Sequence, residues 1–421
     1  MTATVMSAAR PRPRRGIRTW RSVSRCARLG IVTEAGRRGG TVRTEPRVLL
    51  DATAIPAERG GVGRYVDNLT EALDAAGAAL SVVCQNRDAE GFARLAPHSR
   101  IIPAAEELDS RSARLAWEQT TLARLANRLP VDVIHSPHYT MPLAASVPVV
   151  VTLHDATFFS DRGLHLGVKG RFFRAWTRIS LRRATVCVVP SRATAAELTR
   201  YAHPDLDSIV VAYHGVDQQA FHVPEPDEVA VVADHLKLGD QTWIAFLGTL
   251  EPRKNVPALV RAYIRAMTTR EDRPALVLAG APGWDPGVEP AIAAVPDGMT
   301  LIRPGHVPVE LLPGLLGGAQ VVVYPSLGEG FGLPVLEAMA CGATVLTTRK
   351  LALPEVGGDA VAYTGTGAGD IAAALSDLLD CPDRRAELSA AAIERASGFT
   401  WASSAEAHHV AYERAASASG K

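Results

Sequence analysis

The stretch VVVYPSLGEGFGLPVLEAMACG (residues 321–342) runs from a β-branched apolar segment, through a glycine-rich loop, into a segment of helical spacing. The apolar segment predicts a buried strand, and Pro334 and Gly342 stand where a helix would begin and end. A strand that leads directly into a helix is the repeating unit of a parallel sheet. The stretch therefore predicts an α/β fold, with a glycine-rich loop at the carboxyl end of one strand.

Short apolar runs alternate with longer amphipathic segments on both sides of this stretch. In the first half the predicted strands are RVLLDA (47–52), LSVVCQ (80–85), VDVIHSP (131–137), VPVVVTLHD (147–155), TVCVVPS (185–191) and SIVVAYHG (208–215), with helices at 62–76 and 109–128. In the second half they are TWIAFLG (242–248), ALVLAG (275–280), MTLIRPG (299–305), AQVVVYPS (319–326) and ATVLTT (343–348). The pattern predicts two doubly wound, Rossmann-like domains with a ligand cleft between them.

The predicted domain boundaries follow breaks in this alternation. Pro224 and Pro226 stand among acidic residues in FHVPEPDE (221–228), which predicts a linker. The resulting division is a basic tail at 1–45, an N-terminal domain at 46–222, a linker at 223–240, a C-terminal domain at 241–395 and a final helix at 396–416.

Charge is unevenly distributed along the 421 residues. Residues 1–45 hold eleven Arg against two acids, a net charge of +9, so the rest of the chain carries −8 of the total of +1. A folded part with that balance argues against a nucleic-acid binder. The Arg-, Pro- and Gly-rich tail predicts disorder. A basic tail, a membrane-surface tether, an over-extended translation start and an organelle transit peptide remain open for it.

Cysteine usage and hydropathy favour a cytoplasmic protein. The five cysteines are scattered without a Cys-x-x-Cys pair, which argues against a disulfide framework and a zinc knuckle. No apolar run approaches the roughly 20 residues that span a bilayer. Segment 167–184 mixes basic residues with Phe172, Phe173 and Trp176. It predicts either peripheral contact with the inner membrane surface or an ordinary surface helix whose aromatic side chains face the core.

Two carboxylates, Glu329 and Glu337, lie eight positions apart in the opening stretch. The first belongs to the loop, and the second lies one turn into the predicted helix. Gly330 and Gly332 let the backbone approach a ligand closely, and the unpaired amides at a helix start attract hydroxyls or anions. A carboxylate that accepts from two adjacent hydroxyls can recognise a sugar ring. The alternative for Glu337, an acid that complements the helix dipole, explains neither Glu329 nor the glycines.

This region resembles the E-x7-E motif of the retaining GT-B glycosyltransferases of glycosyltransferase family four (group 1), and in particular bacterial polysaccharide mannosyltransferases. Further motifs agree in order: GGVGRY (60–65), HSPHY (135–139), TLHD (152–155), VPS (189–191), YHGVD (213–217), LGTLEPRKN (247–255) and GHVPVELLPGLLGGA (305–319). The resemblance implies the GT-B architecture over residues 47–415, with a final helix that crosses back toward the first domain. Gly328 stands where those relatives often carry an aromatic residue.

The resemblance also implies roles in the donor site. Glu329 would bind hydroxyls of the donor sugar, and Glu337 would bind the nucleotide ribose. The other residues implied to bind the donor in this loop are Gly330, Phe331, Gly332 and Leu333. His306 and Val307 match the place where relatives meet the nucleobase, chiefly through the main chain, although a strand-end turn explains their side chains nearly as well.

Arg253 and Lys254 follow the predicted strand 242–248, so they are expected in a carboxyl-end loop at the cleft. Two adjacent cations suit a diphosphate, because a guanidinium fork and an ammonium can offset the charge of the leaving group. The corresponding pair of the family does this, and a surface charge cluster is the alternative.

His154 and Asp155 end a strand of the first domain and are expected to face the cleft. The resemblance implies that His154 contacts the donor sugar or stabilises developing charge. It also places the loop of Gly61 and Gly63 near the donor phosphates and the acceptor, and His138 is a candidate acceptor-site residue. The glycine loop lacks the third glycine of a dinucleotide fingerprint, which argues against an NAD enzyme.

The sequence offers poor support for a metal site. His135 and His138 have no third ligand nearby, and the DxD of Asp205 and Asp207 lies in a polar connection far from the cationic pair. We therefore expect no metal and no cofactor, with a nucleoside-diphosphate sugar as co-substrate.

The motifs together predict a retaining, metal-independent hexosyltransferase. Its donor would be a nucleotide sugar such as GDP-mannose, and its acceptor a hydroxyl of a glycan or of a lipid-linked molecule. Two alternatives remain open: a nucleotide-sugar epimerase or phosphorylase of the same fold, and a non-catalytic module that binds sugar nucleotides.

Overall fold

The computed structural model describes residues 45–57, 59–105, 108, 110–160 and 167–418, without the side chain of Lys169. The predicted tail lies outside these residues, apart from Glu45. Within them the chain forms two parallel sheets, each covered by helices.

Seven strands form the first sheet, in the order β3-β2-β1-β4-β5-β6-β7. They are β1 (Val48–Asp51), β2 (Leu80–Cys84), β3 (Arg100–Pro103), β4 (Val133–Ser136), β5 (Val149–Thr152), β6 (Val186–Val189) and β7 (Ile209–Val211). In β1, Leu49 pairs with Ser81 on one side and with Ile134 on the other. The central strands are buried on both faces, as parallel strands under helices must be.

Six strands form the second sheet, in the order β10-β9-β8-β11-β12-β13. They are β8 (Trp243–Leu247), β9 (Ala275–Ala279), β10 (Leu301–Gly305), β11 (Val321–Tyr324), β12 (Val345–Thr348) and β13 (Ala362–Thr364). Every strand predicted from the sequence forms in one of the two sheets. The strands β3 and β13 were not among those predicted, and both lie at a sheet edge.

Helices connect the strands and cover both faces of each sheet. Around the first sheet they are α1 (Gly61–Ala75), α2 (Ala89–Leu95), α3 (Arg111–Trp117), α4 (Ala123–Arg128), α5 (Thr157–Ser160), α6 (Gly167–Arg183) and α7 (Arg192–Ala202). The later helices are α8 (Pro226–His235), α9 (Val256–Met267), α10 (Val288–Ala293), α11 (Leu312–Gly317), α12 (Leu333–Ala340), α13 (Leu353–Gly357), α14 (Ala368–Asp380), α15 (Pro382–Ser397) and α16 (Trp401–Ala418).

The segment predicted as a linker, 223–240, contains the helix α8. Pro226 occupies the first turn, where a missing amide hydrogen costs nothing, and Glu225 and Glu228 form a capping box. Val232 of this helix is buried in the core of the second domain. Proline among acids therefore marks the start of a helix here.

The final helix α16 packs against α1 and against β4 to β7 of the first sheet. The chain crosses between the domains before α8 and again before α16, and these two crossings touch. Val216 N donates to Phe399 O at 3.0 Å. Gly215 has no room for a side chain, because a Cβ there would lie 2.2 Å from Trp401 N.

Helix α6 carries the basic and aromatic segment of the sequence. Phe173 and Trp176 pack against the core of the first domain, as in the surface-helix alternative. Val168 is 83% exposed and Phe172 is 40% exposed, so part of the apolar surface faces outward. In the described part of the chain, no helix combines the length and apolar character needed to cross a membrane.

Candidate active site

Both sheets reverse their winding direction next to the strands that carry the motifs. In the first sheet this happens between β1 and β4, and in the second between β8 and β11. Loops at the carboxyl ends of such strands diverge and leave a crevice for ligands. The loops after β8 and β11 are also bonded to each other, since Leu327 N donates to Arg253 O at 2.8 Å.

Glu329 lies in a buried cluster with both predicted cations. Lys254 Nζ donates to Oε1 of Glu329 at 2.9 Å, and the Ser326 hydroxyl donates to the same oxygen. Arg253 donates from its guanidinium to Oε2. Lys254 also donates to the hydroxyl of Tyr324, and its Nζ lies 4.7 Å from the centre of that ring. The structure thus brings Glu329, Arg253 and Lys254 together at one point.

The electrostatics of this cluster keep its acid ionised. Burial alone would raise the pKa of Glu329, but Arg253 and Lys254 outweigh it and lower the pKa to about 2. Burial would lower the pKa of Arg253, and its carboxylate neighbours Glu329 and Glu251 raise it well above the usual value. For Lys254, burial and then repulsion from Arg253 lower the pKa. Glu329 can therefore only accept hydrogen bonds at neutral pH.

Gly330 joins the loop after β11 to the first domain. A Cβ at this position would lie 1.9 Å from the carbonyl oxygen of His154 and 2.7 Å from Cβ of Asp155, so only glycine fits. The carbonyl oxygen of Gly330 accepts from Ser191 Oγ at 2.6 Å and from Thr194 Oγ1 at 3.0 Å. The predicted motifs VPS and TLHD thus hold this loop from two sides.

The other predicted donor-site residues lie in different surroundings. Phe331 is buried between the domains, where its ring centre lies 4.9 Å from that of His214. Gly332 has a left-handed φ of 104°, which permits the sharp turn before Leu333 begins α12. Val307, just after β10, is buried in the second core. Phe331 and Val307 can therefore meet a ligand chiefly through their main chain.

Glu337 pairs with a residue that the sequence analysis did not select. It is buried in the second turn of α12, and Arg64 of α1 reaches it from the first domain, with Nη2 2.8 Å from Oε1. Burial raises the pKa of Glu337, and Arg64 acts in the opposite direction. Glu329 and Glu337 therefore lie in different electrostatic surroundings.

His154 and Asp155 lie at the domain boundary, as expected. His154 Nε2 lies 2.7 Å from the carbonyl oxygen of Pro137 and must donate to it, which leaves Nδ1 as an acceptor in the neutral ring. Burial lowers the pKa of His154. Asp155 Oδ1 accepts from the amide and the hydroxyl of Thr157, and its charge contributes to the raised pKa of Arg253.

A cavity of about 990 Å³ opens in the first domain at the carboxyl ends of β1, β2 and β4. Its lining includes Gly61, Gly63 and His138, which are three of the four residues predicted for an acceptor or phosphate loop, but not the fourth, Asp155. Val168 and Phe172 of α6 also line it. The cavity therefore combines a glycine loop with an apolar wall.

The acidic pair of the DxD lies in an exposed turn. Asp205 Oδ1 accepts from the amide of Asp207 at 3.1 Å and caps a short 3-10 turn before β7. Within the described residues, no three His, Cys, Asp or Glu side chains are grouped so that they could hold a metal ion. Independence from metal stays a prediction.

Family models match most of the chain. Residues 59–220 match the model described as Glycosyltransferase Family 4, and residues 230–395 match that of Glycosyl transferases group 1. The chain belongs to the family 4, group 1 glycosyltransferases. The predicted family is therefore confirmed, and the protein is a glycosyltransferase.

Individual relatives of this glycosyltransferase agree with that assignment. O-antigen chain mannosyltransferase B of Escherichia coli is 34% identical over 54% of this chain and 60% of its own length. A D-inositol 3-phosphate glycosyltransferase of Arthrobacter sp. (strain FB24) is 29% identical over 85% of this chain and 91% of the relative. HepE of Anabaena, solved with UDP and glucose, has a TM-score of 0.68 and 15% identity over 86% of this chain and 97% of its own. The likeness to HepE shows the fold and confirms the GT-B architecture.

Behind the cleft, the glycosyltransferase buries a chain of hydrogen bonds that joins α16 to the first sheet. His408 Nδ1 must donate to Ser404 O, so Nε2 accepts from the Tyr65 hydroxyl at 2.8 Å. Tyr65 then accepts from Thr152, and Thr152 accepts from Nε2 of His135 at 2.8 Å. The remaining nitrogen of His135, Nδ1, accepts from the hydroxyl of Tyr412 at 2.9 Å, which completes this series of hydrogen bonds. With this direction of donation both imidazoles are neutral, which agrees with their burial.

This neutrality predicts a loss of stability in mild acid. Burial lowers the pKa of His408 to about 4 and the pKa of His135 well below its usual value. The unfolded chain then binds more protons than the folded one below about pH 6.5. The contribution of these neutral histidines to the free energy of unfolding is therefore complete above that pH and is lost as the pH falls to about 4. For His408 alone the loss is about 3 kcal/mol. Urea unfolding at pH 7.5, 6.0 and 5.0 measures it.

The matched control for this prediction is the neighbouring His409, which is partly exposed on the same helix. We expect His408→Gln to flatten the pH dependence of the free energy of unfolding and His409→Gln to leave it unchanged. Equal slopes for the wild type and His408→Gln would contradict the prediction.

Several residues that shape the site were not predicted from the sequence. Ser326 and Glu251 bond within the cationic cluster, and each lies inside a motif quoted above, 321–342 and 247–255, without having been singled out. Glu355 accepts from the amides at the start of α7 at 2.9 and 2.6 Å, which ties α13 to the first domain. Arg64 lies inside the selected motif GGVGRY, but only its glycines drew attention. The sequence shows that these four residues are polar or charged, but it does not show which residues they bond.

Proposed function

We propose that this glycosyltransferase is a retaining enzyme that transfers mannose from a nucleoside diphosphate, such as GDP-mannose, to a hydroxyl of a glycan or lipid-linked acceptor. The observation that carries the proposal is the buried cluster of Glu329, Arg253 and Lys254 where the two domains meet. The choice of mannose is supported by the resemblance of the E-x7-E region and by relatives named as mannosyltransferases.

The chemistry of the cluster suits a diphosphate donor. Glu329 is ionised and can accept hydrogen bonds from sugar hydroxyls, while Arg253 and Lys254 can offset the charge of the diphosphate. In the proposed step the bond from the anomeric carbon to the phosphate oxygen breaks, and a bond from that carbon to the acceptor oxygen forms on the same face. The acceptor proton passes to the leaving phosphate. The two side-chain cations take the role that a metal ion would otherwise have, so we propose a metal-independent reaction.

The acceptor is proposed to enter the cavity of the first domain. Its volume of about 990 Å³ is at the upper end of ligand sites, which span about 300 to 1,000 Å³, so it can hold more than one sugar ring. The exposed side chains of Val168 and Phe172 at its wall favour an acceptor with an apolar part. Cys84, Cys187 and Cys341 are free and buried, which supports a reducing, cytoplasmic place of action.

A panel of nucleotide sugars tests the donor. We expect GDP-mannose, at about 100 times its Kd, to raise the Tm by about 3 °C, because donor binding stabilises only the folded protein. Transfer to a mannan or lipid-linked oligosaccharide acceptor is then followed by NMR of the new anomeric linkage, with and without EDTA. Full activity in EDTA and an α-linkage from an α-donor are expected.

Other outcomes of this experiment point to other functions. Turnover of the nucleotide sugar without an acceptor would favour an epimerase, and dependence on free phosphate would favour a phosphorylase. Loss of activity in EDTA, restored by Mn²⁺ or Mg²⁺, would overturn the role given to Arg253 and Lys254. Donor binding with no turnover would indicate a non-catalytic module.

A further inference from the structure

An ion pair between Arg64 and Glu337 spans the two domains. Arg64 lies in the first turn of α1, and its Nη2 is 2.8 Å from one carboxylate oxygen of Glu337 and 3.0 Å from the other. The Glu337 side chain is only 3% exposed, and that of Arg64 is 26% exposed. The two residues are 273 positions apart in the chain, so the contact exists only when the domains are together.

Glu337 depends on this cation because its side chain is buried. A lone carboxylate that is removed from water is costly unless a charge or hydrogen bonds compensate it. The other titratable groups that act on Glu337 or respond to it are Lys254, which already bonds Glu329, and the buried thiol of Cys341. Arg64 is therefore the cation in direct contact, and it opposes the rise in the pKa of Glu337 that burial causes.

The geometry leaves Glu337 able to bind a ligand at the same time. A single nitrogen of Arg64 contacts both carboxylate oxygens, and an ionised carboxylate offers about four acceptor positions. At least two positions thus remain for hydroxyl donors. Vicinal hydroxyls, such as those of a ribose, match this arrangement.

We propose that Arg64 is a positioning residue that reaches from the first domain to hold the Glu337 carboxylate charged and oriented for the ribose hydroxyls of the donor nucleotide. This proposal rests on the proposed function, in which Glu337 binds that ribose. It adds that recognition of the ribose requires contact between the domains. The second domain alone could then bind a nucleotide, but it would not recognise the ribose hydroxyls.

The test compares nucleotides with and without ribose hydroxyls. Affinities of GDP and UDP, and of their 2′,3′-dideoxy forms, are measured by calorimetry for the wild type and for Arg64→Met. In the wild type we expect removal of the hydroxyls to weaken binding about 10- to 100-fold, because hydrogen bonds to a charged group are strong. In Arg64→Met at pH 6.5 we expect the ratio to fall below about 3-fold, since Glu337 then loses the cation that keeps its carboxylate ionised and oriented.

Two further readouts separate positioning from a merely structural role. A higher pH favours the ionised form of Glu337, so the ratio in Arg64→Met should increase from pH 6.5 to pH 8.5, and Arg64→Lys should keep part of the ratio at pH 6.5. Arg59→Met is the matched control, because Arg59 precedes the same helix but pairs with Asp67 and Asp88 of its own domain. It should leave the ratio at its wild-type value. If Arg64→Met does not fold, Arg64→Gln provides the same comparison.

The outcomes distinguish the inference from the proposed function. An unchanged ratio in Arg64→Met at pH 6.5 overturns the inference and leaves the function intact. A wild type that binds GDP or UDP but ignores the ribose hydroxyls removes the role of Glu337 and, with it, the inference. A wild type that binds neither nucleotide contradicts the proposed function itself, and both fall.

Discussion

Replacement of Glu329 by glutamine is expected to lower the rate of sugar transfer about 100- to 1,000-fold, the range for removal of one preorganised polar group from an active site. Glutamine keeps the shape of the side chain but not its charge, so Arg253 and Lys254 lose the carboxylate that both contact. The neutral amide also presents its NH2 group, a donor, to one of the two cations, which both need an acceptor. Initial rates with saturating donor measure the effect.

The same replacement is expected to destabilise the fold. Removal of one partner of a buried ion pair typically costs about 3–5 kcal/mol, because the remaining charge stays buried. Urea unfolding of Glu329→Gln measures this cost. The control is Glu251→Gln, since Glu251 contacts only Arg253 of the two cations and is more exposed. A transfer rate within about tenfold of the wild type, in a folded Glu329→Gln protein, would rule out the role of Glu329.

Alanine at Gly330 is expected to reduce transfer at least about 100-fold, since a shift of about 1 Å in a reacting group can have that effect. The added Cβ would lie 1.9 Å from the carbonyl oxygen of His154, and a backbone atom cannot turn aside as a side chain can. The two domains must therefore move apart at this point. The loss should appear in kcat/KM, and small-angle scattering should show a wider molecule.

The loop itself provides a control for this substitution. A Cβ at Gly328, two residues earlier, would approach the end of the Leu351 side chain at 2.9 Å, and that side chain can rotate away. Gly328→Ala should therefore retain most of the activity. Equal losses of activity in Gly330→Ala and Gly328→Ala would show that the contact between the domains at Gly330 is not the cause of the loss.

The fold was predictable because its central strands carry the required pattern. Strands β1, β4, β8 and β11 are buried on both faces, and each is a run of apolar residues that the sequence displays directly. The edge strand β3, RIIP, has its first and last residues exposed, and β13 is only three residues long. These two strands are short and only partly buried, so their sequences hardly differ from those of loops.

Candidate site residues were predictable where one motif contained them. Glu329 and the Arg-Lys pair follow the carboxyl ends of β11 and β8. These strand ends can be located from the alternation of strands and helices along the sequence. The partner of Glu337 could not be found in this way, because Arg64 lies 273 positions away on the other domain. Phe331 shows a similar limit, since its burial among the rings of Tyr213, His214 and Phe399 depends on the contact between the domains.

The contact between the two chain crossings restricts how the cleft can open. Because Val216 bonds to Phe399 and Gly215 lies against the backbone of Trp401, both connections are held at one place. Two tethers joined at a common point act as a pivot, which permits rotation of one domain but resists sliding and full separation. Opening of the cleft should therefore be a swing about Gly215, with the largest displacement at the loops farthest from it.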